Sequence, residues 1–122
     1  MKKILFIEDE AALQRAATQV LVEQGYQVLS ALDGEIGLRL AKEELPDLIL
    51  LDLILPKKDG FSVLKELKQD PSTQHIPVAI LTNLEGHEDV EQALELGATT
   101  YLVKTNYKLE EVVEKIKSLL PH

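Results

Sequence analysis

Acidic, hydroxyl and ammonium side chains stand where the apolar runs of this sequence end. Three runs are apolar throughout: residues 4–7 precede Glu8 and Asp9, residues 48–51 precede Asp52, and residues 77–81 precede Thr82; a fourth, partly polar strand at residues 100–103 precedes Lys104. A run that is apolar at every position is typical of a strand covered on both faces, as in the middle of a parallel α/β sheet. Such sheets bind ligands at the carboxyl ends of their strands, so we expect these side chains to converge there.

The residue types indicate which chemistry such a cluster would perform. Three carboxylates close together repel one another, so Glu8, Asp9 and Asp52 predict a bound cation. Mg²⁺ suits the site, because it takes oxygen ligands and binds one or two carboxylates together with a phosphate. An aspartate beside Mg²⁺ can act as a nucleophile and form an aspartyl phosphate. Lys104 can place a positive charge on the phosphoryl oxygens, and Thr82 can donate a hydroxyl.

The elements that must position these side chains alternate regularly along the chain. Predicted strands occupy residues 4–7, 26–31, 47–52, 77–81 and 100–103, and predicted helices occupy residues 10–24, 35–44, 61–68, 87–96 and 109–120. This alternation predicts an α/β fold with a parallel sheet, helices on both faces and right-handed crossovers. Gly37 inside the second helix costs about 1 kcal/mol relative to alanine, so we expect a close helix–sheet contact there.

Composition favours a single globular domain over residues 1–122. That length allows one core but not a catalytic domain followed by an output domain. The 13 Lys and Arg against 21 Asp and Glu give a net charge of −8, which argues against direct nucleic-acid binding through a basic surface. The absence of cysteine excludes disulfides and thiolate sites and fits a cytoplasmic protein. The first apolar run is too short for a signal peptide or a membrane span, so no membrane contact is expected.

Taken together and in order, these motifs resemble the receiver domain of two-component response regulators over the whole chain. The matching features are the acidic pair Glu8-Asp9, the segment from Asp52 to Pro56 with Asp59-Gly60, Thr82, and Tyr101 followed three residues later by Lys104. The resemblance implies a flavodoxin-like, doubly wound fold whose five-stranded parallel sheet has the order 2-1-3-4-5.

The resemblance also implies a role for each residue of the site. Asp52 would accept a phosphoryl group from a phosphohistidine of a sensor histidine kinase. Asp9 would bind Mg²⁺ directly, Glu8 would bind it through water, and Asp52 and the backbone carbonyl of Ile54 would be further ligands. Lys104 would pair with the phosphoryl group. The domain would thus be a phospho-acceptor that catalyses its own phosphoryl transfer and slow dephosphorylation, and not an enzyme in the usual sense.

Two residues would form the switch that reads the phosphoryl group. Thr82 would move toward it, and Tyr101 would turn inward into the vacated space. This movement would remodel the face formed by helix 4, strand 5 and helix 5. Through that face the domain would bind an unknown downstream protein or a separate output domain, and a homodimer through helices 4 and 5 is a further expectation.

Three positions depart from the usual family pattern. Glu8 stands in place of an aspartate, and its longer side chain suits a ligand that acts through water. Asn83 replaces a small residue, which predicts a tighter phosphate pocket or an additional hydrogen bond. Thr105 follows Lys104 where the family usually has a proline after a cis peptide. Because a cis bond before a residue other than proline costs roughly 3 kcal/mol, we expect a trans peptide here.

Other functions fit the same residues less well. A phosphohydrolase with an aspartate nucleophile typically carries a second aspartate two residues later, where this chain has Ile54. A flavodoxin-like FMN protein would have to place a phosphate against the acids of the first strand–helix loop. A constitutive scaffold of the same fold is favoured only by Thr105. Taken alone, Asp9 predicts the N-cap of helix 1, and Asp59-Gly60 predicts a turn into helix 3.

The residues two positions after Asp52 and Thr82 bear on how long a phosphoryl group would last. They are Ile54 and Leu84, and both are apolar. Neither side chain can orient a hydrolytic water. The sequence therefore predicts slow hydrolysis of the aspartyl phosphate.

Overall fold

The computed structural model describes residues 1–121, in which five strands alternate with five α-helices. The strands are β1 (Lys3–Ile7), β2 (Gln27–Ala31), β3 (Leu48–Leu51), β4 (Val78–Thr82) and β5 (Thr100–Val103). The helices are α1 (Ala11–Glu23), α2 (Gly34–Glu44), α3 (Gly60–Gln69), α4 (His87–Glu95) and α5 (Leu109–Leu119). Every predicted element is present, and each end lies within one residue of its predicted position. Within the part of the chain described, no helix combines the length and the apolar character needed to cross a membrane.

The strands form one parallel sheet in the order β2-β1-β3-β4-β5, as the resemblance implied. The order reverses at β1, because the chain passes outward to β2 and then returns to pair β3 with β1. The last pair of that ladder is Ile7 opposite Leu51. Open α/β sheets bind ligands in the crevice beyond such a reversal. Glu8 and Asp52 are the next residues along their strands, so both lie at the entrance of this crevice.

Helices cover the sheet on both faces, and two apolar clusters form the core. Leu5 and Ile7 of β1 belong to the cluster packed by α2, α3 and α4. Ile4 and Phe6 belong to the cluster packed by α1 and α5. Successive side chains of a strand point to opposite faces, so a strand covered on both sides must be apolar throughout. The continuous apolar runs in the sequence reflect this double coverage.

Gly37 makes the close helix–sheet contact that the sequence predicted. A Cβ atom at this position would lie 2.6 Å from Cδ1 and 2.8 Å from Cγ1 of Ile7. Glycine therefore lets α2 pack directly on the last residue of β1. Because Ile7 immediately precedes the acidic pair, this contact also fixes the point from which Glu8 leaves the sheet.

The start of α1 differs from the simplest interpretation of the sequence. Its N-cap residue is Glu10 and not Asp9, and the Glu10 side chain makes no capping hydrogen bond. The carboxylate of Glu8 instead accepts a hydrogen bond from the Glu10 amide at 3.1 Å. Glu8 and Glu10, on either side of Asp9, thus occupy the helix start. The Asp9 carboxylate is not part of the helix cap and can contribute to the acidic site.

The turn into α3 is structural, as predicted. Asp59 is the N-cap, and its carboxylate accepts a hydrogen bond from the Ser62 amide at 3.2 Å. A Cβ atom at Gly60 would lie 2.3 Å from the Leu53 Cα and 2.4 Å from the Asp52 carbonyl oxygen. Glycine therefore allows α3 to begin against the loop that carries Asp52.

The link between β5 and α5 is a short 3₁₀ turn, Lys104–Asn106, which the sequence did not predict. No cis peptide bond occurs among residues 1–121. The Lys104–Thr105 bond is therefore trans, as expected for a residue other than proline.

Candidate functional site

Asp52 is held in place through its backbone and both carboxylate oxygens. It follows β3 and is only 3% exposed. Its amide donates to the Ile7 carbonyl at 3.0 Å, which extends the β1–β3 pairing by one residue. Oδ1 accepts a hydrogen bond from the Ile54 amide at 3.1 Å, and Oδ2 accepts one from Lys104 Nζ at 2.8 Å. The side chain is therefore presented in one orientation at the end of the sheet.

Glu8, Asp9 and Asp52 come together as predicted. One carboxylate oxygen of each lies within 4.8 Å of the other two. Glu8 and Asp52 are buried, whereas Asp9 is exposed, so the acidic pocket opens to solvent beside Asp9. Burial raises the pKa of Glu8 to about 7, although the nearby Lys104 ammonium group and the hydrogen bond from the Glu10 amide oppose the shift. Confining these carboxylates together is thus unfavourable without a compensating cation.

Lys104 supplies part of that compensation. Three carboxylate oxygens surround its Nζ atom: Glu8 Oε1 at 2.7 Å, Asp52 Oδ2 at 2.8 Å and Glu10 Oε1 at 3.0 Å. Burial alone would lower the pKa of Lys104, but its contacts with these three carboxylates outweigh burial and raise the pKa. The ammonium group is therefore charged at neutral pH, and one cation faces four carboxylates when Asp9 is included.

The residues fit a divalent metal ion bound by oxygen ligands. Glu8 Oε1 has an ion pair with Lys104 but no hydrogen bond of good geometry, which leaves a buried oxygen incompletely satisfied. Carboxylates with nearby solvent are the ligand set that Mg²⁺ and similar hard cations prefer. A dication would also offset the excess of negative charge that Lys104 leaves. Glu8, Asp9 and Asp52 thus form an acidic metal-binding cluster.

Glu10 is a member of the site that the sequence did not indicate. Its side chain is 54% exposed and reaches Lys104 across 94 positions of sequence. An acidic residue directly before a helix is readily explained by the helix alone. No local pattern could therefore have identified its contact with Lys104.

Gln14 is a second such residue. It is 7% exposed, and its Nε2 atom lies within hydrogen-bond distance of three backbone carbonyls: those of Phe6 at 3.3 Å, Glu8 at 3.2 Å and Ala31 at 3.0 Å. The amide thereby ties α1 to the carboxyl ends of β1 and β2. A signal did exist, because Gln14 shares the helical spacing of the buried Ala17 and Leu21, where a polar side chain needs buried partners.

The two predicted switch residues both bond the backbone of Leu84, in the loop between β4 and α4. Thr82 is fully buried, and its Oγ1 accepts a hydrogen bond from the Leu84 amide at 3.4 Å. Tyr101 is half-buried, and its hydroxyl donates to the Leu84 carbonyl at 2.7 Å. Burial, with smaller contributions from Asp89 and Asp52, raises the pKa of Tyr101 to about 12. Within residues 1–121 neither hydroxyl bonds to Asp52.

The remaining predicted positions lie around this pocket. Ile54 is 53% exposed, and its amide donates a hydrogen bond to Asp52. The role of its backbone carbonyl as a metal ligand stays a prediction. Asn83 is exposed, and in the described part of the chain its side chain makes no hydrogen bond. Its expected effect on the phosphate pocket also stays a prediction.

The comparisons with known proteins agree on one family. The family model of the response regulator receiver domain matches residues 4–117. The response regulator PleD of Caulobacter vibrioides is 44% identical over 102 residues, which are 84% of this chain and 22% of PleD. The chain spans about half or less of the length of the curated relatives it matches first.

Two solved structures show the same architecture. The Mn²⁺-bound form of the response regulator Rcp1 has a TM-score of 0.84 and 36% identity, and the alignment covers 97% of this chain and 93% of Rcp1. The BeF₃-activated N-terminal receiver domain of Klebsiella pneumoniae RstA has a TM-score of 0.89 and 27% identity, with 99% of this chain and 100% of that domain covered. The matched family, the sheet order and the acidic pocket beside Lys104 lead to one conclusion. The chain belongs to the response regulator receiver domain family, whose members act in phosphorelay signalling.

Proposed function

We propose that this domain accepts a phosphoryl group on Asp52 from a phosphohistidine of a sensor histidine kinase. The observation that carries the proposal is the 2.8 Å contact between Asp52 Oδ2 and the Lys104 ammonium group beside the carboxylates of Glu8 and Asp9. This arrangement combines a nucleophile, a fixed cation and an acidic cluster for a metal ion. The Mn²⁺-bound Rcp1 and the BeF₃-activated RstA support the same assignment.

The transfer is a displacement at phosphorus. A carboxylate oxygen of Asp52 forms a new O–P bond while the P–N bond to the imidazole breaks, and the electrons of that bond return to the nitrogen. Because the transition state for phosphoryl transfer is loose, positioning and charge neutralisation supply most of the catalysis. Lys104 pairs with the transferred oxygens, and Mg²⁺ held by Glu8, Asp9, Asp52 and the Ile54 carbonyl would neutralise the remaining charge.

The phosphoryl group would be sensed through Leu84. Thr82 accepts only a long hydrogen bond from the Leu84 amide, so its hydroxyl is easily redirected toward a new acceptor at Asp52. Tyr101 holds the carbonyl of the same residue through a short hydrogen bond. Movement of Thr82 would therefore change the conformation of the loop at Leu84, to which Tyr101 is hydrogen-bonded. The conformation of the face formed by α4, β5 and α5 would change as a consequence.

That face favours a heterologous partner over a symmetric dimer through α4. Four acidic residues and no lysine or arginine occupy α4: Glu88, Asp89, Glu91 and Glu95. Two copies that met through α4 would place like charges opposite one another, which is unfavourable. Leu94 is 48% exposed on the same helix and offers an apolar contact. The homodimer through helices 4 and 5 stays a proposal, because Lys115 and Lys117 of α5 can face the acidic α4 of a second copy.

The proposal is tested by phosphorylation with a small donor. Wild type and Asp52→Asn are incubated with acetyl phosphate, with and without Mg²⁺, and the modified fraction is measured by intact mass. We expect a Mg²⁺-dependent gain of one phosphoryl group in wild type and none in Asp52→Asn.

Asp59→Asn is the matched control, because asparagine can also cap α3 and should leave the modification unchanged. A wild type that gains no phosphoryl group, or an Asp52→Asn variant that still gains one, would refute the proposal.

A further inference from the structure

Glu10 contacts Lys104 although it lies outside the three-carboxylate cluster. Its Oε1 atom is 3.0 Å from Lys104 Nζ, whereas the clustered oxygens belong to Glu8, Asp9 and Asp52. Glu10 is the N-cap residue of α1, yet its side chain makes no capping hydrogen bond. Neither helix capping nor the acidic cluster therefore accounts for where this carboxylate lies.

Carboxylates surround most of the Lys104 ammonium group, and the Lys104 side chain is 11% exposed. Its three N–H donors face three carboxylate oxygens within 3.0 Å, those of Glu8, Asp52 and Glu10. Two of its donors are engaged in hydrogen bonds to Asp52 and Glu10, and Glu8 lies against the ammonium group as an ion pair, so an incoming phosphoryl oxygen must compete with these carboxylates. A dication in the acidic cluster would attract the carboxylates of Glu8 and Asp52 and weaken their hold on the lysine. The contact with Glu10 would persist, because Glu10 is not in that cluster.

We propose that Glu10 is a positioning residue that holds the Lys104 ammonium group at the rim of the pocket and competes with the phosphoryl donor for it. This inference rests on the proposed phosphorylation of Asp52. The Glu10 side chain is 54% exposed, against 5% for Asp52, and solvent weakens an exposed ion pair. The contact is therefore exchangeable, and it slows phosphoryl transfer without preventing it.

Two substitutions separate this contact from the general effect of a negative charge. Glu10→Gln removes the charge. Glu10→Asp keeps the charge but shortens the side chain and favours the free N-cap of α1, which draws the carboxylate away from Lys104. With acetyl phosphate at saturating Mg²⁺, both variants should be modified roughly two- to fivefold faster than wild type.

A spectroscopic readout tests the contact without phosphorylation. The NMR signal of the Lys104 ammonium group, assigned by its loss in Lys104→Met, should shift in both Glu10 variants. Glu110→Gln is the matched control, since it removes one charge from the exposed first turn of α5, where Glu110 has no ion pair within residues 1–121. It should change neither the Lys104 signal nor the rate.

The outcomes distinguish this inference from the function on which it rests. If wild type is modified and the Glu10 variants react at the same rate or more slowly, the inference is wrong and the proposed function stands. Acceleration by Glu10→Gln alone would also overturn it, because loss of charge would then suffice. A wild type that takes no phosphoryl group would refute both.

Discussion

At the residue scale, the lifetime of a phosphoryl group on Asp52 would depend on the side chains two positions after Asp52 and Thr82. These are Ile54 and Leu84, and neither can hold a water molecule for attack on phosphorus. We therefore expect the phosphorylated protein to persist for minutes or longer after acetyl phosphate is removed, as measured by the decay of the phosphorylated mass.

Ile54→Gln should shorten this lifetime. The residue is 53% exposed, so the substitution is tolerated by the fold, and an amide at this position can orient water. A wild-type half-life of seconds would contradict the prediction.

Single residues also show which parts of the site could be predicted from the sequence and which could not. Asp52 and Lys104 could be predicted because each directly follows a predicted strand, and a parallel sheet brings such strand ends together. The pairing of Glu10 with Lys104 could not be predicted, since it depends on the angle at which α1 leaves the sheet. Three acidic residues in a row all suit a helix start, so the sequence alone offers Asp9 as the N-cap of α1, whereas the structure has Glu10 there.

At the scale of elements, the contact of α2 with β1 makes a testable packing prediction. Gly37→Ala gains about 1 kcal/mol of helix propensity, but its Cβ would overlap the Ile7 side chain, and such overpacking typically costs about 1–3 kcal/mol. In wild type we expect a net loss of stability, measured by urea unfolding.

On an Ile7→Ala background the same substitution should become stabilising, because the overlapping atoms of Ile7 are gone. The double-mutant cycle therefore predicts a change of sign. Additive effects of the two substitutions would mean that Gly37 is required for another reason.

The elements themselves were predictable in type and extent. Apolar runs such as residues 48–51 identified the three central strands β1, β3 and β4, because coverage on both faces favours apolar residues at every position. The order of the strands came from the resemblance, since spacing along a chain does not determine which strands pair. The turn Lys104–Asn106 was missed because three residues carry no periodic pattern.

At the scale of the whole molecule, metal binding should couple to folding. A ligand that binds only the folded state stabilises it according to its concentration, by about 2.7 kcal/mol at one hundred times its dissociation constant. At a Mg²⁺ concentration one hundred times its dissociation constant, we therefore expect the free energy of unfolding of wild type to rise by about 2.7 kcal/mol. Asp9→Asn should reduce the gain strongly, whereas Asp59→Asn should keep it. An equal gain in Asp9→Asn would show that Mg²⁺ binds elsewhere.

The hydrogen bonds around the pocket imply two very different rates of amide exchange. The Asp52 amide bonds to Ile7 at 3.0 Å and the Glu8 amide to Ala31 at 2.9 Å, so both protons lie within the central sheet. They should exchange with solvent only when the whole domain unfolds. The Leu84 amide has a single long bond to a hydroxyl and can exchange through local opening. The backbone that carries Asp52, the proposed phospho-acceptor, would then open only when the whole fold opens. The loop around Leu84 would open many times between two such unfolding events.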